Sequence, residues 1–372
     1  MSENFLIRDV FNQRNVKKLG EDLKKSYPTF NIKAYEKRLS PLFIDSSFSE
    51  RKKTITECLI DLLPEDVERT IDILTSCLPE PYSDDGLDGD MDRFIVASMA
   101  DAVSRIGINH FHKSMSALKL MTQSFSAEWA IRPFIEKFPD DAHFILLEWS
   151  MDKNAHVRRL VSEGTRPYLP WGKKLSITDK DAEWSLSLLE QLMNDTSPYV
   201  RTSVANHLND LTKKHPDTVL RFLNSNKIEI TNYKPIPFFK KALRNLIKAG
   251  NADALELIGY SPEVKAEINI TKCPVEVLRG EKLNFNISIT STSSDSQEVL
   301  IDFIIHFYKS NGSLSPKVFK LTSFTLSGNS TKTIDKSFSF KPITTRKYYP
   351  GPHLIEIMVN GNVKARKKFE LV

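Results

Sequence analysis

A seven-residue block that returns after 43 residues limits this chain more than any other feature: Asp152-Lys-Asn-Ala-His-Val157-Arg158 reappears as Asp195-Thr-Ser-Pro-Tyr-Val200-Arg201. A period of about 40–47 residues is that of HEAT and armadillo units, which cannot bury their apolar faces alone and stack on their neighbours. An apolar segment precedes each aspartate, Phe144 to Met151 and then Trp184 to Met193. Each unit therefore reads as helix, Asp turn, helix, and in a right-handed stack the second helices line the concave face. Pro64 and Pro79 bracket one further helix, but the N-terminal half shows no clean repeat.

After Pro262 the period changes. Leu283, Phe285, Ile287 and Ile289 alternate with polar residues, as do Val299, Ile301, Phe303, Ile305 and Phe307, the two-residue period of half-buried strands. Asn311-Gly312, Gly328-Asn329 and Asn360-Gly361 punctuate these runs. Asn-Gly is the strongest of these signals, because a type I′ hairpin turn needs positive φ at both central residues. The predicted fold class is mostly α: a HEAT-like helical-repeat solenoid over 1–260, then a C-terminal immunoglobulin-like β-sandwich of about seven strands over 261–372. The Cys-Trp-Cys core of antibody domains is missing from it.

Composition narrows the class further. With 40% hydrophobic and 27% charged residues the chain resembles ordinary soluble domains. It has no apolar run near the ~18 residues of a spanning helix. The opening MSENFLIRDVFNQRNVKK lacks the hydrophobic stretch of a secretory signal. Cys58, Cys77 and Cys273 are odd in number and fit a reducing compartment, so a cytoplasmic location is expected, with no membrane partner. The net charge of +5 is uneven: from Ser261 onward there are 16 Lys and Arg against 10 Asp and Glu, leaving 36 against 37 for the remainder. That excess is weak support for a polyanion partner.

Helical phase groups the polar side chains. With Val157 taken as the inward direction, Leu160, Val161 and Gly164 also face inward, while Arg159, Glu163 and Arg166 share the opposite stripe. In the next unit Val200, Val204, Leu208 and Leu211 form the buried stripe; Asn206 takes the phase of Glu163 and Asp210 lies one turn on. Stacked helices lie ~10 Å apart, so Glu163, Asn206 and Asp210 can meet on one concave surface. Glu128 and Arg132 sit four residues apart at an apparent helix start, which presents Glu128 beside Glu163. Thr165-Arg-Pro-Tyr-Leu-Pro-Trp171-Gly then ends the helix and places a tryptophan on a proline-stiffened loop.

Structural explanations compete at each position. Asp152, Asp195, Arg158 and Arg201 are read mostly as scaffold, since repeats use such residues to cap and link units. Taken singly, Glu128, Glu163 and Asp210 fit a solvated face, or i, i+4 pairs with Arg132 and Arg159; only their convergence argues for chemistry. Trp171 could pack its loop or stack on a base. Trp129, Trp149 and Trp184 are expected in the core. The acidic stretch Asp84 to Asp92 resembles a calcium loop, but Gly86 falls at its third position and Ile95 where a bidentate Glu is needed. His110 and His112 have no ligand companion nearby. No phosphate-cradling glycine loop or nucleophile elbow appears, so neither metal nor cofactor is expected.

The blocks Glu128-Trp-Ala-Ile-Arg-Pro-Phe, Val157 to Gly172 and Tyr199 to Asp210 resemble the AlkC branch of the HEAT-like-repeat alkylpurine DNA glycosylases. One AlkC subgroup also ends in an immunoglobulin-like domain. The resemblance implies cofactor-free hydrolysis of the N-glycosidic bond of cationic alkylated bases in duplex DNA, chiefly 3-methyladenine and 3-methylcytosine. It implies that Glu128, Glu163, Asp210 and Trp171 approach the lesion and its deoxyribose, with the three acids as the catalytic candidates; Asn206, placed beside them by helical phase, joins Trp171 as a lesion-binding candidate. Arg159, Arg166, Arg201, Lys347 and Arg366 would hold the DNA backbone. Lys317, Lys320, Arg346, Lys364, Lys367 and Lys368 are further phosphate candidates in the β region. A monomer with no obligate protein partner is expected. The related AlkD branch uses a tryptophan and aspartate four residues apart, whereas the residue four before Glu163 is Arg159, and Trp129 is bulkier than expected beside Glu128. A different class stays open: a non-enzymatic HEAT scaffold for a protein or undamaged nucleic acid.

Overall fold

The computed structural model describes residues 6–82, 91–226, 235–344 and 346–372. Positions 84–90 of the calcium-like stretch lie outside them. The chain forms two compact units, Met1–Phe238 and Phe239–Val372.

The first unit is helical, and the repeat appears as paired helices. Pro139–Ser150 packs on Ala155–Gly164 and on Ala182–Glu190, while Ala155–Gly164 packs along Pro198–Leu211. Local chemistry sets the starts: the Asn154 side chain accepts from the N–H groups of His156 and Val157, and Ser197 accepts from Tyr199 ahead of Pro198. Such caps satisfy donors that a helix start leaves open. Val157, Leu160 and Val161 face Val200, Val204, Leu208 and Leu211 in the interior, all fully buried as the phase predicts. The helix bracketed by Pro64 and Pro79 runs over Val67–Ser76.

Two details near Glu128 differ from the sequence reading. The helix begins at Arg132, with Pro133 in its first turn, so Glu128 stands in the preceding turn. Proline's fixed φ and missing N–H favour that first-turn place. Gly164 then lets this turn approach, since a Cβ there would come within 2.8 Å of Ile131 Cγ2. Of the three tryptophans expected in the core, Trp149 is buried, whereas Trp129 and Trp184 are partly exposed.

The second unit contains eight strands: β1 Ala266–Lys272, β2 Glu276–Val277, β3 Lys282–Ser291, β4 Gln297–Tyr308, β5 Leu314–Leu326, β6 Thr331–Ser339, β7 Gly351–Val359 and β8 Asn362–Leu371. They form two sheets, β1-β3-β6 and β2-β8-β7-β4-β5, antiparallel except for the short β2/β8 pair. The alternating residues read from the sequence line one shared core, with Phe303 stacked on Phe319. The Asn360-Gly361 turn joins β7 to β8 with φ of 43° and 83°. Asn360 also accepts from Leu300 N–H and donates to the carbonyls of Ser261 and Glu298, tying the turn down.

The compact units part at Phe238, ahead of the composition change near Pro262. The short helices Arg244–Lys248 and Ala252–Leu257 belong with the sheets, and Gly250 approaches Gly361 so closely that a Cβ on either would collide with the other's backbone. β4 departs from simple alternation, since Leu300, Asp302 and Ile304 are buried as well as their inward neighbours. Burial pushes the Asp302 carboxyl up to about 6, against the opposing pull of Lys320 and Lys248. Among the described residues no helix is long and apolar enough to cross a membrane.

Candidate active site

Three carboxylates and two guanidiniums alternate along one buried line where the turn at Glu128 meets the helices Ala155–Gly164 and Pro198–Leu211. Arg159 bridges Glu128 and, at 3.6 Å, Glu163. Arg166 reaches Glu163 at 2.5 Å and Asp210 at 2.9 Å. Glu128, Glu163 and Asp210 are only 9%, 6% and 3% exposed. Charges this deep persist only when paired and hydrogen-bonded. Burial pushes the Glu163 carboxyl up, but Arg159, Arg166 and the Ser203 hydroxyl outweigh it and hold the group below its ordinary value. Glu163 is therefore an anion at neutral pH.

The surrounding side chains fix this line. Ser203 Oγ donates to Glu163 Oε2 at 2.6 Å, and Ser126 Oγ donates to Glu128 Oε2 at 2.8 Å. Arg159 lies under the Tyr199 ring, its carbon 5.1 Å from the centroid. Behind the line sits His207, fully buried, with Nδ1 3.0 Å from the Ser162 carbonyl and Nε2 without a partner among the described residues. Burial pulls its pKa down to about 3, so the imidazole is neutral.

Arg132 buckles the loop that follows. It is not the i, i+4 partner of Glu128; its guanidinium donates to the carbonyls of Gly164, Arg166 and Lys173 at 2.6–3.1 Å. Desolvation lowers it to about 10, which still leaves it charged at neutral pH. Trp129 Nε1 donates to the Pro170 carbonyl at 3.1 Å. The loop so held presents Trp171, 72% exposed and at φ 58°. A non-glycine residue in that region costs on the order of 1–3 kcal/mol. Its ring stacks at 6.5 Å with Trp129, the residue after Glu128 in the chain, and meets Phe48 at 5.6 Å.

Known proteins resemble this chain along nearly its whole length. The family described as DNA alkylation repair enzyme matches residues 120–237, which contain the whole ion-pair line, and the family described as "Uncharacterised protein YhaZ, C-terminal Ig-like domain" matches 267–372. The chain is 35% identical to the uncharacterized protein YhaZ of Bacillus subtilis (strain 168), over 98% of this chain and 99% of that one. It is 34% identical to the Pseudomonas fluorescens alkylpurine DNA glycosylase AlkC, solved bound to DNA containing an abasic site analog, with a TM-score of 0.86 over 99% of this chain and 100% of the other. The chain belongs to the AlkC family. It is of the AlkC type that ends in an immunoglobulin-like domain.

In this AlkC-type chain the expected residues separate into groups. Glu128, Glu163 and Asp210 come together, and Trp171 is exposed on its loop. Asn206 shares the helix of Asp210 and is partly exposed. Arg159 and Arg166, expected to reach DNA phosphates, are instead turned inward onto the three acids, because two guanidiniums are what makes three buried carboxylates tolerable. Arg201 donates to the carbonyls of Asp195 and Thr196, in keeping with the scaffold reading. Lys347 and Arg366 lie on the surface of the second unit. Ser203, Ser126 and Tyr199 escaped the sequence reading. Ser203 had a usable signal, since the 43-residue period aligns it with the buried Leu160, where a serine needs a polar partner.

Proposed function

We propose that this AlkC-type chain is a monofunctional DNA glycosylase that hydrolyses the N-glycosidic bond of cationic alkylated bases, 3-methyladenine and 3-methylcytosine, in duplex DNA. The observation that carries the reading is the alternating line of Glu128, Arg159, Glu163, Arg166 and Asp210, which gathers three buried carboxylates around two guanidiniums. A base alkylated at N3 already bears positive charge, so it leaves without a general acid, and the deoxyribose develops oxocarbenium character. A fixed carboxylate beside that carbon stabilises the developing cation and orients the attacking water. A neutral, undamaged base is a far poorer leaving group and would stay in place.

In this reading the helical unit acts as a HEAT-like solenoid whose concave face takes the duplex, while Trp171 and Asn206 border the lesion. Arg159 and Arg166 hold the three acids in register and keep Glu163 ionised. Lys347 and Arg366 are proposed to face phosphates, while Arg201 stays with the scaffold, and the exposed run Lys364, Arg366, Lys367 and Lys368 on β8 gives the second unit a basic edge suited to the same partner. The protein would work as a cytoplasmic monomer, with domains divided functionally at 260/261 and with no cofactor.

The test is release of free 3-methyladenine and 3-methylcytosine from methylated duplex DNA, identified by chromatography. Wild-type protein releases both, and Glu163→Ala and Asp210→Ala, made separately, lose the activity. Normal excision by both variants would overturn the proposal. Tight binding of an acidic protein, with no base released, would favour the non-enzymatic scaffold.

A further inference from the structure

Beyond Asp210 the ion-pair line runs into a second cluster. Asp179, 5% exposed, receives Tyr168 Oη on Oδ1, while Lys174 and Lys214 both donate to its Oδ2. His215 Nε2 lies 2.9 Å from the Asp179 carbonyl. Two ammonium groups on one oxygen stand at most about 5 Å apart. Lys213 joins them, with Nζ 4.1 Å above the Tyr168 ring and 3.4 Å from Asp210 Oδ1. The lysine side chains are 49%, 45% and 49% exposed for Lys174, Lys213 and Lys214.

We infer that Lys174, Lys213 and Lys214 form a seat for one DNA phosphodiester beside Asp210; the choice of DNA rests on the glycosylase reading. Two ammoniums meet the one buried carboxylate of Asp179, and the third meets Asp210, which Arg166 also holds, so cations outnumber the carboxylates they touch and the cluster keeps a positive surplus at one place. Pure packing does not need two lysines on a single oxygen, since like charges so close repel. An anion on the open side relieves that repulsion. Each ammonium has three donors, and those not directed at Asp179, Asp210 or Tyr168 remain for phosphate oxygens. Asp179 and Tyr168 serve as the buried anchor that holds the donors in position. Through Lys213 the seat is coupled to Asp210, so a phosphate bound there sets the strand's register against that acid.

The experiment measures binding of the full chain to a short undamaged duplex between about 50 and 200 mM salt. Lys174→Gln/Lys214→Gln is expected to bind about tenfold more weakly at the upper end and to reduce the slope of log affinity against log salt by roughly 1–2. Lys174→Arg/Lys214→Arg should keep the wild-type slope. Lys213→Gln leaves the Asp179 pairs intact and should itself lower the slope by roughly 1, which keeps the test decisive if the double glutamine variant does not fold. A wild-type slope in the folded glutamine variants overturns the seat, as does equal loss in the arginine variant. A wild-type protein that releases no base yet binds through these lysines sinks the glycosylase reading and leaves the seat standing.

Discussion

Two sets of Arg–carboxylate pairs lie one helical face apart in this protein and do different work. In the repeat turns, Arg158 grips Asp195 with two hydrogen bonds of 2.6 and 2.8 Å, and its remaining donors go to the carbonyls of Asp152 and Lys153. Asp152 and Asp195 accept from backbone N–H groups two residues on. Side chain and main chain close on each other, and the unit is capped. In the line from Glu128 to Asp210, guanidinium and carboxylate instead meet mainly one another, each arginine shared between two acids. The first arrangement fastens consecutive repeats. The second gathers three carboxylates in one place, and it is this grouping that the proposed glycosylase reading uses to stabilise a cation.

This contrast can be broken by experiment, starting with the largest effect. Arg158→Ala strands a buried aspartate and should lower the unfolding free energy by about 3–5 kcal/mol in a urea titration, while the folded fraction keeps base release within a fewfold. Asp210→Asn should do the reverse: a fall in release rate on the order of 10²–10³, about 3–4 kcal/mol of barrier, with a stability change near 1 kcal/mol. If both variants lose stability and activity in step, the two networks are one.

Protonation sharpens the same comparison from within. His207 is neutral in the fold because burial holds its pKa at about 3, below the ~6.5 of the unfolded chain. Its stabilising contribution is complete above pH 6.5 and is lost as pH falls, because the unfolded chain then binds the extra proton. Chemical denaturation should show roughly 2 kcal/mol lost between pH 7 and 5, and His207→Gln should remove most of that loss. In the second unit Asp302 behaves oppositely. Its folded pKa of about 6 lies above the unfolded value, so stability falls as pH rises through that window. Asp302→Asn should raise stability at pH 7 to 8 by about 1–2 kcal/mol, since residual solvent screens part of the cost.

Much of this was legible in the linear text. The 43-residue echo located the paired helices, and the phase from Val157 placed Leu160 and Val161 inside. The same phase put Glu163, Arg159 and Arg166 on an outward stripe, yet Glu163 and Arg166 are buried. Phase describes one helix; the neighbouring turn at Glu128 and the next repeat cover that stripe from both sides. Arg132 was misread for a related reason: four-residue spacing suggested a pair with Glu128, but Pro133 delays the helix and frees the guanidinium for carbonyls 32 to 41 residues away.

The amino-acid order alone determined the unit types, the change from helical to strand period, and the membership of the acidic trio, because periodicity and turn chemistry act over a few neighbouring residues. Only the tertiary structure decided which arginine meets which acid, that Ser203 completes the shell of Glu163, and that Lys174 and Lys214 converge on one oxygen. Those pairings depend on helices separated by about a whole repeat, whose relative height and rotation are set by packing rather than by local sequence.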